Sequence, residues 1–397
     1  MNDRFYKLKL QLDSLAVFSQ IKKDPVIRKL RRLLKALCAN DTEAAVAAWG
    51  SFAAALLPHT ASLTEYVKSR VMEDDNFYVK EKASGRPTDR EADEAARREI
   101  DILQNVCAFS SQDAADAIDY DGYLPSWRTE ASDLHRDFAE KLESIGRTGY
   151  GIYARYSFFR VDQGSIVPVA HPDFQPLESL FGYERERSLI IKNTRALIDG
   201  TGASNMLLYG DAGTGKSSSV KAVAAHFAPE GLRIIEVKKN QLYQIPALME
   251  ELSSNPLKFI LFIDDLSFSG NDDNFSALKA TLEGSISGCG DNCVIYATSN
   301  RRHLVKETFA DRAGDELHLN DTMQETMSLA ARFGLAITFQ KPDKEEYLSI
   351  VKALAREYGI EMDDHELFRR AEAHAIRKNG RSPRTAKQFI ELLKIGI

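Results

Sequence analysis

A glycine-rich loop between an apolar strand and a helix is the feature that most constrains the fold of this chain. Residues 206–209 read as a strand, the next eight residues follow the pattern GxxxxGKS, and Val220 and Val223 lie on one face of a helix. Glycines let the backbone curl so that consecutive N–H groups point at phosphate oxygens, and the helix N-terminus adds partial positive charge. The sequence therefore predicts a phosphate-binding loop in an α/β domain. The residues expected to hold the phosphates are Gly210, Asp211, Ala212, Gly213, Thr214, Gly215, Lys216, Ser217 and Ser218.

Two residues of this loop have specific expected roles. Lys216 is expected to reach the β- and γ-phosphates, and the Ser217 hydroxyl is expected to ligate Mg²⁺. The alternative is a glycine-rich turn that binds nothing, but a chance match to the pattern has odds of roughly one in a hundred in a chain of this length. The flanking strand and helix favour the functional interpretation.

A second strand candidate, residues 259–263, delivers two adjacent carboxylates at its end. Ligands of parallel sheets bind at the carboxyl ends of the strands, so both side chains are expected near the phosphates. Asp264 is the candidate Mg²⁺ partner, either directly or through water, and Asp265 is the candidate base or orienter of the attacking water. Taken alone, this pair is weak evidence, because it could be an ordinary strand end followed by a turn. Its position roughly 40 to 50 residues after the phosphate loop favours the functional interpretation.

A third strand candidate, residues 293–297, ends in Thr298, Ser299 and Asn300. Polar side chains at this point are expected beside the γ-phosphate. By itself this sequence is more often a turn or a cap. The segment Thr298 to Asn300 therefore supports a nucleotide site only in combination with the other two motifs.

Together these motifs make residues 172–397 resemble an AAA+ ATPase module. The phosphate loop corresponds to Walker A, Asp264 and Asp265 correspond to Walker B, and Asn300 takes the sensor-1 position. The resemblance implies an α/β P-loop fold with a five-stranded parallel sheet and a C-terminal helical lid. The strand candidates are residues 205–209, 233–237, 258–263, 293–297 and 335–339, and the lid helices span about 343–358, 363–379 and 382–395.

The resemblance also implies roles for two arginines. Residues 328–334 end a helix before an apolar strand, like the segment in which AAA+ proteins carry an arginine finger, so Arg332 would reach the γ-phosphate of a neighbouring subunit. If Arg332 is instead a helix-terminal cation, Arg312 or Arg301 must be considered. Arg384 lies in a first helical turn, where a cation opposes the helix dipole and suggests an anionic partner. It corresponds to sensor 2, unless it is simply exposed to solvent.

The family resemblance is more specific still. The segments YGD-GTGKS, ATSNRRHL and GRSPRTAKQF resemble a bacterial AAA+ family labelled as a domain of unknown function, which is expected to bind ATP. The turn at Phe181, Gly182 and Tyr183 resembles the one that lines the adenine pocket in AAA+ proteins. The sequence departs from the family at Ala330 and Ala331, where polar residues are expected.

The domain organisation follows from a change of pattern near residue 172. Residues 1–171 read as a mainly helical region with a β-hairpin near residues 151–170. Short apolar runs then alternate with helical stretches, which predicts a nucleotide-binding α/β domain over residues 172–341 and a helical lid over residues 342–397.

The composition indicates the cellular compartment of the protein but says little about its partner. The N-terminus is charged and amphipathic, and no run of about 18 apolar residues occurs, so neither secretion nor membrane insertion is expected. The four cysteines make no disulfide framework, which fits a reducing, cytoplasmic location. A formal net charge of −6 gives no global attraction to nucleic acid.

Two functions remain open at this point. The first is an ATPase that uses ATP and Mg²⁺, releases ADP, and remodels an unidentified protein or DNA partner. Its subunit-shared site would require a homo-oligomer, often a hexamer in AAA+ proteins. The second is a nucleotide-gated switch or scaffold that binds ATP with negligible turnover.

Overall fold

The computed structural model describes residues 3–39, 41–266, 278–279, 282, 291–300, 332–378 and 380–396. The chain forms two compact units, Met1–Arg155 and Tyr156–Ile397. Among the helices of these described ranges, none is both long enough and apolar enough to cross a membrane.

The first unit is helical, as its apolar periodicity predicts. The best example is Pro25–Ala39, whose buried side chains at Val26, Leu30, Leu33 and Leu37 recur every three to four residues. The helices of this unit are α1 Asp3–Ser14, α2 Pro25–Ala39, α3 Thr42–Leu56, α4 Leu63–Glu73, α5 Phe77–Ala83, α6 Arg90–Cys107, α7 Ser111–Ala115, α8 Leu134–Glu143, α9 Ile145–Thr148 and α10 Ile152–Arg155.

A buried carboxylate ties two parts of this unit together. Glu99 of α6 is 6% exposed, and its two oxygens accept backbone N–H groups from the turn after α1. The donors are Ala16, Val17 and Phe18, at 2.7, 3.1 and 2.9 Å. Hydrogen bonds to an ionised acceptor are among the stronger ones in proteins, so this contact fixes the turn against α6.

The second unit is built on a mixed sheet whose described strands number seven. Their spatial order is β2-β1-β4-β5-β6-β3-β7, and every neighbouring pair except β1 and β2 is parallel. The strands are β1 Phe158–Asp162, β2 Ser165–Pro168, β3 Met206–Gly210, β4 Leu232–Glu236, β5 Lys258–Ile263, β6 Cys293–Ser299 and β7 Leu335–Phe339. Helices α11 Glu184–Asp199, α12 Lys216–Phe227 and α13 Ile245–Ser253 connect them.

All five predicted core strands are present, but the predicted domain boundary near residue 172 is wrong. The hairpin assigned to the N-terminal region belongs to the sheet, because β1 pairs in parallel with β4 from Phe158 opposite Ile234 to Arg160 opposite Glu236. Without β1, this edge of β4 would present unpaired backbone N–H and C=O groups. The sheet therefore has seven described strands instead of five, and the second unit begins at Tyr156.

The glycine-rich loop follows β3, which lies between β6 and β7. The chain leaves the carboxyl end of β3 and enters α12, while the carboxyl ends of β5 and β6 lie along the same edge of the sheet. This edge is where ligands of open α/β sheets bind. The expected α/β fold, with a mostly parallel sheet and the glycine-rich loop between β3 and α12, is present, with β1 and β2 as additions.

Three helices close the chain, as predicted for the lid. They are α14 Lys344–Glu357, α15 Asp364–Arg377 and α16 Pro383–Lys394. Ser382 caps α16, with its Oγ accepting the Thr385 N–H at 3.1 Å, and Pro383 occupies the first helical position, where no N–H is needed. These two residues fix where α16 begins.

Candidate functional site

The first glycine of the loop is required by a close backbone contact. Gly210 has a φ of +138°, and a Cβ at this position would lie 2.0 Å from the carbonyl oxygen of Phe339 in β7. The next residue uses that carbonyl, because the Asp211 N–H donates to it at 3.1 Å. Any side chain at position 210 would therefore separate β7 from the start of the loop.

The rest of the loop brings backbone N–H groups to a helix N-terminus. Gly213 and Gly215 have φ values of +81° and +90°, and Gly215 is the residue immediately before α12. The Gly213 carbonyl accepts the N–H of Arg384 at 3.2 Å, so the start of α16 lies against the loop. This backbone geometry fits an oxyanion such as a phosphate.

Lys216 is held by three oxygen acceptors. Its Nζ donates to the carbonyls of Gly210 and Asp211 at 3.0 and 2.7 Å and to the Oδ1 of Asn300 at 2.9 Å. Lys216 is 5% exposed, and burial lowers its pKa while the carboxylates of Asp211, Asp265 and Asp264 oppose that shift. The ammonium group thus lies at the point where the loop, β5 and β6 meet.

The candidate metal ligands are in direct contact. The Ser217 Oγ donates to the Oδ1 of Asp264 at 2.5 Å, and the Thr298 Oγ1 donates to the same oxygen at 2.6 Å. A hydroxyl beside a carboxylate is an oxygen donor set of the kind that binds Mg²⁺ together with phosphate and water. No group of three or more His, Cys, Asp or Glu side chains among the described residues could hold a metal by itself. The residues therefore fit a magnesium ion that shares its ligands with a phosphate.

Asp265 adopts a left-handed backbone conformation, with a φ of +54°. Two contacts hold it in place: its N–H donates to the Thr298 Oγ1 at 3.0 Å, and its Oδ1 accepts the Asn300 Nδ2 at 2.8 Å. A non-glycine residue in this region is uncommon and marks a position that the surroundings dictate. Asn300 consequently links the carboxylate of Asp265 to the ammonium of Lys216.

These groups line a cavity of about 510 Å³, which is a normal size for a small-molecule site. The predicted residues that line it extend from Ala212 to Ser218 and include Asp264, Asp265, Asn300 and Arg384. Gly210 and Asp211 are not among the described residues that line the cavity. Their carbonyls accept hydrogen bonds from Lys216, which does line it.

The predicted base-binding turn also reaches the cavity. Phe181 and Tyr183 line it, and the side chains of Ile350 and Leu354 from α14 lie there too. Tyr183 has a φ of +59°, its hydroxyl donates to the Gln340 carbonyl at 2.5 Å, and its ring stacks on Phe339 at 5.2 Å between centroids. The cavity thus combines polar groups with aromatic and aliphatic ones.

Of the three candidate arginine fingers, Arg332 is the one that falls within the described residues. Arg332 is half-buried and does not belong to the described cavity lining. The alternatives Arg301 and Arg312 lie outside the described residues.

Sequence reasoning missed the individual role of Thr298 and missed Arg187 entirely. Thr298 is 2% exposed and contacts both acidic residues, which its position at a strand end indicates only weakly. Arg187 is 8% exposed and lines the cavity from α11. The signal in the sequence is an arginine spaced at helical periodicity with Ile190, Thr194 and Leu197.

Several known structures are similar to part of this chain. A mutant of Thermotoga maritima RuvB is 17% identical, with a TM-score of 0.38 over 55% of this chain and 64% of that chain. A structure of the Thermotoga maritima RuvB Holliday junction branch migration motor is 16% identical, with a TM-score of 0.33 over 56% and 74%. The replication initiator DnaA, bound to AMPPCP and single-stranded DNA, is 18% identical, with a TM-score of 0.38 over 56% and 65%.

No curated protein matches the chain. Residues 153–396 match a family described as "Protein of unknown function (DUF815)". The match includes the glycine-rich loop, the carboxylates at the end of β5 and the three lid helices. It covers more than half of the 397 residues, and the chain therefore belongs to this family.

Proposed function

We propose that the protein binds ATP with Mg²⁺ in this cavity and hydrolyses it to ADP and phosphate. The observation that supports this best is the convergence of Lys216, the Ser217–Asp264 pair and the Asp265–Asn300 pair at one edge of the sheet. A buried cation, a magnesium-type oxygen pair and a candidate base are the groups that phosphoryl transfer to water requires.

Each of these residues has a distinct part in the proposed reaction. The loop N–H groups and Lys216 hold the phosphates, while Asn300 and Arg384 offset the negative charge on the transferred group. Asp265 orients the attacking water and accepts its proton. Ser217 and Asp264 would hold Mg²⁺, which supplies further neutralisation of phosphate charge when bound.

Hydrolysis is proposed to need a second copy of the chain. Arg332 does not belong to the described lining of its own cavity, which is the placement expected of a residue that acts on a neighbour's phosphate. A shared site of this kind closes through a homo-oligomer, with six subunits as our proposal. The energy of hydrolysis would remodel a protein or DNA partner in the cytoplasm.

The experiment that tests this proposal is ATP hydrolysis by the purified full chain as a function of its concentration. It is carried out with Mg²⁺ and with or without single-stranded or double-stranded DNA. Turnover per chain should rise cooperatively with concentration, and mixing in Arg332→Ala chains should lower the rate without abolishing it. A stimulating DNA would identify the partner class.

Two outcomes contradict parts of the proposal. An isolated monomer that hydrolyses ATP at the full rate would exclude the shared site. Tight ATP binding with flat, near-zero turnover would replace hydrolysis by the nucleotide-gated switch.

A further inference from the structure

Arg187 occupies a position in α11 where an apolar side chain is expected. The buried residues of this helix are Arg187, Ile190, Thr194 and Leu197, and Tyr183 directly precedes it. Their spacing of three to four residues defines the face that packs on the core. A charged residue on such a face loses its hydration, and this loss destabilises the protein unless a partner compensates.

No described residue provides that partner fully. The nearest carboxylate oxygen belongs to Glu184, at 3.6 Å from the guanidinium, and the Glu184 side chain is 79% exposed. Among the described residues, no hydrogen bond involves the Arg187 guanidinium. The similarly buried Arg233, by contrast, donates to the carbonyls of Ala228 and Leu232 at 3.0 and 2.8 Å. Burial lowers the pKa of Arg187, but a guanidinium stays protonated at neutral pH.

Arg187 lines the cavity in a different electrostatic environment from Lys216. The charges that act on Arg187 are those of Glu184 and Glu186 on its own helix. The charges that act on Lys216 are those of Asp211, Asp264, Asp265 and Arg384 around the phosphate loop. Lys216 therefore belongs to the phosphate loop, whereas Arg187 lines the cavity from α11, one helical turn after Tyr183.

The cavity lining near α11 suits a flat, weakly polar group. Tyr183 precedes α11, and Phe181, Ile350 and Leu354 add aromatic and aliphatic surface to the same cavity. A guanidinium is planar, stacks on aromatic faces and donates hydrogen bonds to ring nitrogens. A nucleobase would therefore satisfy Arg187 while its apolar surface contacts the neighbouring side chains.

We propose that Arg187 contacts the purine base of the bound nucleotide and contributes to the choice of ligand. This inference rests on the proposed function. It assigns the base to the part of the cavity lined by α11 and the phosphates to the glycine-rich loop. The cost of burying an arginine on a core-facing helix position is then offset only when the nucleotide is bound.

The test uses the full chain with Arg187→Met and, as a matched control, Arg185→Met, which removes an exposed arginine from the same helix. Dissociation constants are measured for Mg-ATP and for inorganic tripolyphosphate, which has no base. Arg187→Met should weaken ATP binding roughly tenfold or more and leave tripolyphosphate binding unchanged. Arg185→Met should change neither.

The melting temperature of the ligand-free protein separates ligand binding from a structural role. Arg187→Met should not lower it, because the substitution removes a desolvated charge and keeps an unbranched side chain. Arg187→Lys keeps the charge but not the planar group, and should also weaken ATP binding without affecting tripolyphosphate.

Three results would overturn the inference. Unchanged ATP affinity in Arg187→Met excludes the contact, and an equal loss for ATP and tripolyphosphate reassigns it to the phosphates. A lowered ligand-free melting temperature with an unchanged ratio of the two affinities indicates a structural role. Failure of the wild-type protein to bind ATP would instead overturn the proposed function, and this inference with it.

Discussion

The two units of this protein bury charged side chains in opposite ways. In the helical unit, Glu99 is enclosed and accepts three backbone N–H groups, so its charge is satisfied by the fold itself. In the α/β unit, Lys216 and Arg187 are equally buried but line a cavity. Lys216 has three oxygen acceptors there, whereas the nearest described carboxylate oxygen to Arg187 is that of the exposed Glu184, at 3.6 Å.

This difference separates a structural charge from a functional one. A buried ion whose hydrogen bonds are complete stabilises the chain, and its loss should be measured in the free energy of unfolding. A buried ion that lines a cavity can also act on a ligand, so its loss should be measured in ligand affinity as well. The predictions below test this distinction, from the largest expected change in free energy to the smallest.

Glu99→Gln should lower the free energy of unfolding by about 3 kcal/mol, because an amide cannot replace a carboxylate that accepts three N–H groups. Urea denaturation measures this loss, and the affinity for ATP should not change. Glu91→Gln, at an exposed position of the same helix, should cost less than about 1 kcal/mol. A loss below about 1 kcal/mol in Glu99→Gln would contradict the claim that the buried Glu99 carboxylate stabilises the helical unit.

Lys216→Ala should weaken ATP binding about 100-fold, or roughly 2.7 kcal/mol, because it removes a buried cation from the phosphates. Titration with a labelled ATP analogue measures the affinity. The substitution also removes three hydrogen bonds to protein oxygens, so the free energy of unfolding should fall as well, and the loss of ATP affinity is the result that distinguishes it from Glu99→Gln. Lys192→Ala, at an exposed position of α11, serves as the control. Undiminished binding by Lys216→Ala would exclude the phosphate-loop assignment.

Asp265→Asn should leave ATP binding intact and lower turnover at least tenfold, about 1.4 kcal/mol in the barrier. Asparagine also tolerates a φ of +54°, so the backbone conformation of residue 265 should be preserved. Single-turnover hydrolysis in the presence of Mg²⁺ measures the change. Wild-type turnover in this variant would remove Asp265 from the mechanism.

Thr298→Val should lower kcat by about threefold to fivefold, because it removes one hydrogen bond to Asp264 and leaves the Asp265 N–H without its acceptor. Steady-state kinetics should show little change in KM. Thr298→Ser restores the hydroxyl and should recover most of the rate. If the serine variant is as slow as the valine variant, the hydroxyl is not what positions the two carboxylates.

The sequence predicted those parts of the structure that local chemistry determines. The glycine-rich loop, the strand that ends just before Asp264 and the cap at Ser382 each carry their signal in a few neighbouring residues. Strand β6 and the predicted lid helices α14 to α16 are likewise predicted by the periodicity of their apolar residues. These signals survive in the folded chain because no distant contact opposes them.

The errors have a non-local origin. Helix α5 lies in a polar stretch with Gly85 and Pro87 that favours a loop, but Asn76 caps the helix and Tyr78 and Val79 are buried in the unit's core. The hairpin at β1 was placed in the wrong unit because its pairing with β4 joins segments far apart in sequence. No single-sequence pattern specifies such pairing, and the same holds for the contacts of Thr298.

The central claim is that the cavity at the end of β3 binds Mg-ATP, and equilibrium titration of the full chain with labelled ATP tests it most directly. We predict saturable binding that requires Mg²⁺ for full affinity and that Lys216→Ala weakens about 100-fold. No binding by the wild-type protein, or equal binding by wild type and Lys216→Ala, would contradict the claim.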